Sequence, residues 1–201
     1  MIVSNVSFEK KKFHITFDNS RDLYISEDTL VKFGLYKGQE VPDDFYEILK
    51  FEDAKSQALF LSYKFLQRNK TEKQLVDHLY KKEISQDIID LIIPILKEKK
   101  YLNDKDYATR YIKDSQNLKK YGKIKTIYML KSKGIKNDII EDIMSDYDYK
   151  LELENALNLL EKKIEKDEKD LKKINSAKKY LQGRGFEFEI INLAIENYLV
   201  Y

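Results

Sequence analysis

A six-residue phrase that occurs three times constrains the fold of this chain more than any other feature. It covers Leu79–Ile84, Leu130–Ile135 and Leu181–Phe186, so that its leucines stand 51 residues apart. An acidic residue and two isoleucines follow each copy in the same register. A recurrence at this interval indicates one supersecondary unit used three times, each copy burying an apolar face against its neighbours.

Each copy of the phrase has the pattern of a helix end followed by a helix start. Gly134 and Gly185 suit the left-handed conformation that often follows a helix C-terminus. The acid that comes next suits the positive end of a helix dipole. We therefore predict three three-helix repeats, about nine helices in all, over residues 51–100, 101–148 and 149–201.

The first 50 residues predict a small β-rich module instead. Apolar and polar residues alternate over Lys12–Phe17, the pattern of a half-buried strand, and Ile2–Phe8 and Leu23–Ile25 are predicted to be its neighbours. Two short helices follow, one capped by Ser26 and ended by Gly34, the other running from Pro42 to Leu49. The predicted fold class is thus mainly α, a tandem helical repeat behind a β-rich module.

Local signals place several helix ends within the repeats. Thr71 and Gln74 form a capping box, and Asp104 is predicted to cap the first helix of the middle repeat. Pro94 predicts a kink or an early end. The charged run over 161–169 is predicted to be a solvated helix with paired charges, continuing an apolar stripe that extends to Ile164. The second helix of the middle repeat, which follows Gly122, is expected to carry Ile124, Ile127 and Leu130.

No constellation in the sequence predicts catalysis, a metal or a cofactor. There is no cysteine, and His14 and His78 lie far apart without ligand partners at metal-binding spacing. The two glycines of Gly183–Gly185 lack the Lys-Ser or Lys-Thr of a phosphate-binding loop. No apolar run approaches the about 18 residues that cross a membrane. The N-terminus also lacks the pattern of a secretory signal, so a cytoplasmic protein is expected.

Basic residues are notable for their position, since the net charge is only +2. They cluster where the second helix of a repeat is predicted to begin or end, and could meet phosphates or an acidic protein; solvated lysines that aid solubility are an equally good interpretation. The candidates for contact with a partner are Arg68, Lys70, Lys119, Lys120, Lys123, Lys125, Lys131, Lys133 and Arg184.

Three stretches of the helical part carry recognisable motifs. The first is Arg68–Leu75, and the second joins Tyr101–Ala108 to Lys120–Gly122 and Leu130–Ile135. The third is Tyr180–Phe186, which contains Leu-x-x-Arg-Gly-Phe. Together these stretches resemble the signatures of the RecX family, whose members regulate the RecA recombinase. The matches cover residues 51–201, and the β-rich segment resembles the extension of RecX proteins from low-GC Gram-positive bacteria.

The resemblance implies a non-enzymatic inhibitor of RecA. Proteins of this kind are elongated, curved arrays of three-helix repeats that lie in the groove of the RecA–single-stranded DNA filament. They block its extension or promote its disassembly, and they suppress ATP hydrolysis, strand exchange and co-protease activity, which implies a role in recombination, DNA repair and the SOS response. We expect a monomer without a cofactor, whose partner is the RecA filament on single-stranded DNA.

Two other functions remain open on the residues alone. Three-helix units and the lysines over 119–136 are also compatible with a protein that binds DNA directly, without RecA. A helical adaptor for another acidic protein is the third alternative.

Overall fold

The computed structural model describes residues 1–199 and confirms the predicted class: a mainly helical chain with a small antiparallel sheet at its N-terminus. The strands are β1 Val3–Glu9, β2 Lys12–Phe17 and β3 Asp22–Ile25. The α-helices of this described region are α1 Glu27–Phe33, α2 Phe45–Leu66, α3 Glu72–Tyr80, α4 Gln86–Glu98, α5 Asp104–Asp114, α6 Lys123–Ser132, α7 Asn137–Met144, α8 Tyr149–Leu160, α9 Leu171–Gly183 and α10 Phe188–Tyr198. A π-helical turn, Ser115–Lys119, follows α5.

The sheet has the order β1-β2-β3, with both pairs antiparallel. Ile15 of β2 lies opposite Val6 and Leu23, and it is fully buried in the core of the module. Helix α1 follows as predicted: the Ser26 hydroxyl accepts a hydrogen bond from the Thr29 N–H at 3.4 Å. Gly34 ends the helix with a φ of +57°.

The helix predicted to end at Leu49 does not end there, because α2 continues to Leu66. No glycine or proline interrupts it, and the two ends of the helix pack in different places. Leu49 is buried in the core of the β-rich module, whereas Ala58 is buried with α3 and α4. The boundary expected at residue 50 therefore lies inside one continuous helix that serves two cores.

From α2 onward the helices form three consecutive triplets: α2–α4, α5–α7 and α8–α10. In each triplet the first and third helices pack on each other. Each triplet has a hydrophobic core of its own, and the leucine that begins the repeated phrase is fully buried in it: Leu79, Leu130 and Leu181.

The chain divides into two compact units. The first contains Met1–Asn69 and Leu75–Leu102, which hold the β-rich module and most of the first triplet. The second contains Lys70–Gln74 and the chain from Asn103 onward. The second and third triplets therefore share a unit with the first turn of α3.

The repeated phrase forms the same turn in all three copies. The amide of its last residue donates to the carbonyl of its first leucine, from Ile84 to Leu79 at 3.2 Å, from Ile135 to Leu130 at 3.2 Å and from Phe186 to Leu181 at 3.3 Å. The preceding residue has a positive φ in each copy. This is the Schellman arrangement that ends many helices, so a helix end is the structural meaning of the repeat.

Pro94 does not end α4 early, since the helix continues to Glu98. Asp90, whose carbonyl loses its helical donor at the proline, is exposed, as is Pro94 itself. Water can therefore satisfy the carbonyl, which reduces the cost of an interior proline.

The expectation that Asp104 caps α5 is wrong, because Asn103 takes that place. The Asn103 side chain accepts a hydrogen bond from the Asp106 N–H at 3.0 Å. The Asp104 carboxylate instead accepts from the Glu72 N–H at 2.9 Å, in the first turn of α3.

The predicted solvated helix over 161–169 is also wrong, because α8 ends at Leu160 and the following residues form turns and loop. Ile164 is buried in the core of the third triplet, where its carbonyl accepts from the Tyr198 hydroxyl at 2.9 Å. Asp170 then caps α9 through the Lys172 N–H. Of the apolar residues expected on α6, Leu130 is fully buried, whereas Ile124 is 54% exposed.

Candidate functional site

Basic side chains of the second unit surround two tyrosines, Tyr111 of α5 and Tyr121, which lies just before α6. Lys119 and Lys125 place their ammonium groups 5.9 and 4.5 Å from the centre of the Tyr121 ring, and the Arg184 guanidinium lies 5.3 Å from it. Lys119 also lies 4.4 Å from the ring of Tyr111. We call Lys119, Lys125, Lys133, Arg184, Tyr111 and Tyr121 the lysine–tyrosine cluster.

Lys133 joins this cluster from the far end of α6. Its ammonium group lies 5.8 Å from the ring of Tyr111 and 6.0 Å from that of Tyr107. A cation over an aromatic face at an exposed site gains about 0.5–1 kcal/mol. The tyrosine rings therefore lie beside cations that are up to 65 residues apart in sequence, as Lys119 and Arg184 are.

Arg184 has a second role, as a support for the loop before α6. Its Nε donates to the carbonyl of Lys120 at 3.3 Å, and its Nη2 donates to the carbonyl of Lys119. Lys120 has the left-handed conformation, with a φ of +51°. Part of the guanidinium's hydrogen-bonding capacity is thus used within the protein, and Arg184 positions the neighbouring lysines.

Lys123 is beside the cluster but already has partners. Its ammonium group forms an ion pair with Glu187 at 3.2 Å. It is not one of the three cations that lie over the Tyr121 ring. It donates to the hydroxyl of Tyr149 at 2.9 Å. These two hydrogen bonds raise the pKa of Lys123, that to Tyr149 having the larger effect. Lys123 is therefore less available to a partner than Lys119 or Lys125.

The other candidates are not gathered into the cluster. Arg68 is exposed in the first unit, after the end of α2, and Lys70 is half-buried just before α3. Lys131 is exposed on α6 and is not one of the cations that lie over the Tyr121 ring in the described region. The structure thus brings together Lys119, Lys120, Lys123, Lys125, Lys133 and Arg184.

The start of α6 is capped by a carboxylate from the next triplet. Glu152 of α8 is fully buried, and its Oε1 accepts from the Lys123 N–H at 2.8 Å. Burial is the largest influence on this group and raises the pKa of Glu152. Asp104 caps the first turn of α3 in the same way, so at both positions an acid from the following triplet caps the second helix of the preceding one.

Close backbone contacts hold the start of α6 against the third copy of the repeated phrase. The Gly122 N–H donates to the Arg184 carbonyl at 3.0 Å, and the Ile124 N–H donates to the Gly185 carbonyl at 2.9 Å. A Cβ on Gly122 would overlap the Gly185 carbonyl, and a Cβ on Gly185 would overlap Lys125. The two glycines therefore permit the approach that brings Arg184 to the lysines.

The arrangement suits an anionic partner. Across residues 1–199, none of the four cations of the cluster forms an ion pair. Each of these cations lies within 6 Å of the ring of Tyr111 or Tyr121, so bound phosphates or carboxylates would relieve the repulsion between them. The sequence predicted the cations but missed the tyrosines, whose abundance was the available signal: the chain has 15.

Other kinds of site find little support in the part of the chain that is described. No three histidine or acidic side chains among residues 1–199 lie in a group that could hold a metal ion. In the same region, no helix combines the length and apolar character needed to cross a membrane.

Two family models match the helical part of the chain. The model for the third three-helix domain of RecX matches residues 151–195, and the model for the second matches residues 103–144.

Curated relatives named regulatory protein RecX match nearly the whole chain. The protein of Bacillus velezensis is 34% identical over 204 residues, which cover 96% of this chain and 76% of the relative. That of Clostridium botulinum strain Alaska E43 is 35% identical over 187 residues, covering 90% of this chain and 87% of the relative.

Two solved structures have a similar fold. A crystal structure of regulatory protein RecX has a TM-score of 0.79 at 19% identity and covers 98% of this chain and all of that one. The crystal structure of RecX from Lactobacillus salivarius has a TM-score of 0.69 at 29% identity, covering 73% of this chain and 97% of that one.

Proposed function

This chain belongs to the RecX family, and from that premise we propose that it is a non-enzymatic regulatory protein that inhibits RecA. It binds the RecA filament on single-stranded DNA, as a monomer in the cytoplasm. Binding in the filament groove blocks extension or promotes disassembly, and so suppresses ATP hydrolysis, strand exchange and co-protease activity.

The observation that best supports this function, and that assigns it to particular residues, is the lysine–tyrosine cluster. Lys119, Lys125 and Arg184 all lie within 6 Å of the Tyr121 ring, and the cluster lacks internal carboxylate partners. A surface of this kind can contact DNA phosphates or acidic filament residues without reading base sequence. Arg68 and Lys70 are further candidates for contact, and Lys131 belongs to a different face of α6.

Direct binding to DNA, without RecA, is the second candidate function. The tyrosine rings beside lysines favour it, since single-stranded nucleic acid binds to basic grooves that carry aromatic side chains. Fluorescence anisotropy with labelled single-stranded DNA separates the two. Tight binding without RecA that weakens steeply with salt would favour this function, whereas binding that requires RecA would exclude it.

The main test is the single-stranded-DNA-dependent ATPase of RecA with the purified chain added at substoichiometric to equimolar ratios. We expect the wild-type chain to lower the rate. A triple variant, Lys119→Glu, Lys125→Glu and Lys133→Glu, should raise the half-inhibiting concentration by at least about tenfold, equivalent to about 1.4 kcal/mol of binding energy.

The matched control makes the same change of charge elsewhere in the second unit: Lys162→Glu, Lys166→Glu and Lys169→Glu, all exposed in the loop after α8. It should inhibit like the wild type. Equal loss in both triple variants would show a general effect of charge, and a wild-type chain without effect on the ATPase would rule out inhibition of RecA.

A further inference from the structure

A groove on the second unit combines an apolar floor with a basic rim. It lies beside α9 and the first turns of α6 and α10, and encloses about 360 Å³. Phe186 and Ile191 are buried in its floor. Ile124 and Phe188 also line it, yet they are 54% and 73% exposed. Large apolar side chains that remain open around one groove mark a binding surface more often than singly scattered ones.

Exposed residues continue from the groove along α6. Tyr128 follows Ile124 by four residues and Lys131 follows it by seven, so all three lie on one helical face. All three are exposed, and Tyr128 is 68% so. Lys131, which the lysine–tyrosine cluster does not include, therefore lies on the same face as the groove.

The charge of the groove is one-sided. Its lining includes Lys178 and Lys179 of α9, together with the neutral Asn175 and Gln182, and it includes no carboxylate within the described region. The Lys178 ammonium group donates to the Asn192 side chain at 3.3 Å. Of the nearby acids, Glu187 is paired with Lys123 and Glu189 is exposed on α10 outside the lining.

We propose that this groove binds a short acidic segment of a partner protein, in which one or two large apolar side chains are flanked by carboxylates. The apolar side chains pack on Phe186, Ile124 and Phe188, and the carboxylates pair with Lys178 and Lys179. A volume of about 360 Å³ is at the small end for binding pockets, which fits one or two side chains. Charge complementarity selects the acidic segment over a basic one.

A protein segment fits this surface better than nucleic acid does. Four apolar side chains line the groove, Ile124, Phe186, Phe188 and Ile191, whereas both of its cations belong to α9. This surface is distinct from the lysine–tyrosine cluster, and the inference holds whether or not the partner is a RecA filament.

The test measures binding of the full chain to a short fluorescein-labelled peptide with one phenylalanine and one leucine among glutamates. We expect saturable binding that weakens at least about tenfold in Phe188→Ala and in the double variant Lys178→Glu, Lys179→Glu. Peptides with lysine in place of glutamate, or serine in place of the apolar residues, should bind at least about tenfold more weakly.

Leu118→Ala is the matched control, because Leu118 is 77% exposed in the same unit and does not line the groove; it should bind like the wild type. Circular dichroism checks that all variants fold. Three results would overturn the inference. The lysine peptide could bind as tightly as the glutamate peptide, or Phe188→Ala could bind the glutamate peptide with unchanged affinity. The third is that single-stranded DNA competes with the glutamate peptide and that the groove variants abolish this competition. Sedimentation showing a dimer that Phe188→Ala dissociates would instead assign the groove to a second copy of the chain.

Discussion

The first and third copies of the repeated phrase have the same backbone but different surroundings. Both close with an amide-to-carbonyl hydrogen bond of 3.2 to 3.3 Å, and both hold their fifth residue at positive φ, +60° for Glu83 and +86° for Gly185. Glu83 is exposed, whereas Gly185 is buried against the backbone of Lys125. The turn thus requires a left-handed residue, and the neighbouring helix requires that this residue be glycine.

The middle copy lies between these extremes. Gly134 has a φ of +83°, and a Cβ there would come within 2.5 Å of the Lys73 Cβ. A Cβ at Gly134 would meet only side-chain atoms of Lys73, whereas a Cβ at Gly185 would also meet the backbone nitrogen of Lys125. Of these two glycines, Gly185 therefore has the more restrictive surroundings, at the start of α6, where the candidate site lies.

The largest effect is expected from Gly185→Ala. The variant places a Cβ on a left-handed residue, which costs about 1–2 kcal/mol of stability. It also overpacks against Lys125, which costs about 1–3 kcal/mol. We expect the free energy of unfolding to fall by about 3 kcal/mol in urea denaturation.

Gly183→Ala is the matched control within the same turn. Gly183 is helical, and a Cβ there would meet nothing within 4 Å. Replacing a helical glycine by alanine should stabilise the chain by about 0.5–1 kcal/mol. If the two variants change stability alike, close packing at Gly185 is not what requires glycine.

A smaller effect, with a pH dependence, is expected from Glu152→Gln. Burial raises the pKa of Glu152 in the folded chain. Stability from this group is therefore fully present below the unfolded pKa, and it is lost as pH rises through the higher folded pKa. Relative to Glu152→Gln, the wild type should become more stable as pH falls from 7 towards 5.

The measurement is urea denaturation of both proteins across that pH range, with Glu154→Gln as control because Glu154 is exposed on the same helix. Glu52 and Glu168, whose pKa values are lowered by lysine hydrogen bonds, are common to both proteins and cancel in the difference. A difference that does not change with pH would contradict the assigned role of Glu152. Glu152→Ala should cost about 1 kcal/mol more than the glutamine variant, through loss of the cap on α6.

The smallest effect is expected from Glu83→Gly. Glycine removes the cost of a left-handed residue, about 1–2 kcal/mol, but it also increases the entropy of the unfolded chain by about 0.5–1 kcal/mol. The net gain in the free energy of unfolding should be below about 1 kcal/mol. Thermal denaturation checks this, and a loss of stability would show that the Glu83 side chain makes a contribution of its own.

Much of the fold was predictable because its signals are local. The hairpin strands, the Ser26 cap and the capping box of Thr71 with Gln74 depend on residues a few positions apart; Gln74 indeed accepts from the Thr71 N–H at 3.1 Å. Each of these involves hydrogen bonds that a short segment can make by itself. The helix end at each copy of the repeated phrase was predictable for the same reason.

The errors share the opposite cause. Asp104 has the sequence pattern of a cap for its own helix, yet its carboxylate meets the first turn of α3. The charged run after α8 has the composition of a solvated helix, yet α8 ends at Leu160, and Ile164 within the run is buried in the core of the third triplet. In both cases contacts with residues distant in sequence outweigh the preference of the local sequence.

The sequence by itself determined the class of the fold, the threefold repeat and the basic residues near the start of α6, since periodicity, turn chemistry and charge are properties of short segments. Only the tertiary structure decided what those residues meet: the tyrosines that gather Lys119, Lys125 and Lys133, the carbonyls that engage Arg184, and the buried Glu152 that caps α6. The physical reason is that these contacts join segments tens of residues apart, and their formation depends on how closely one triplet can approach the next.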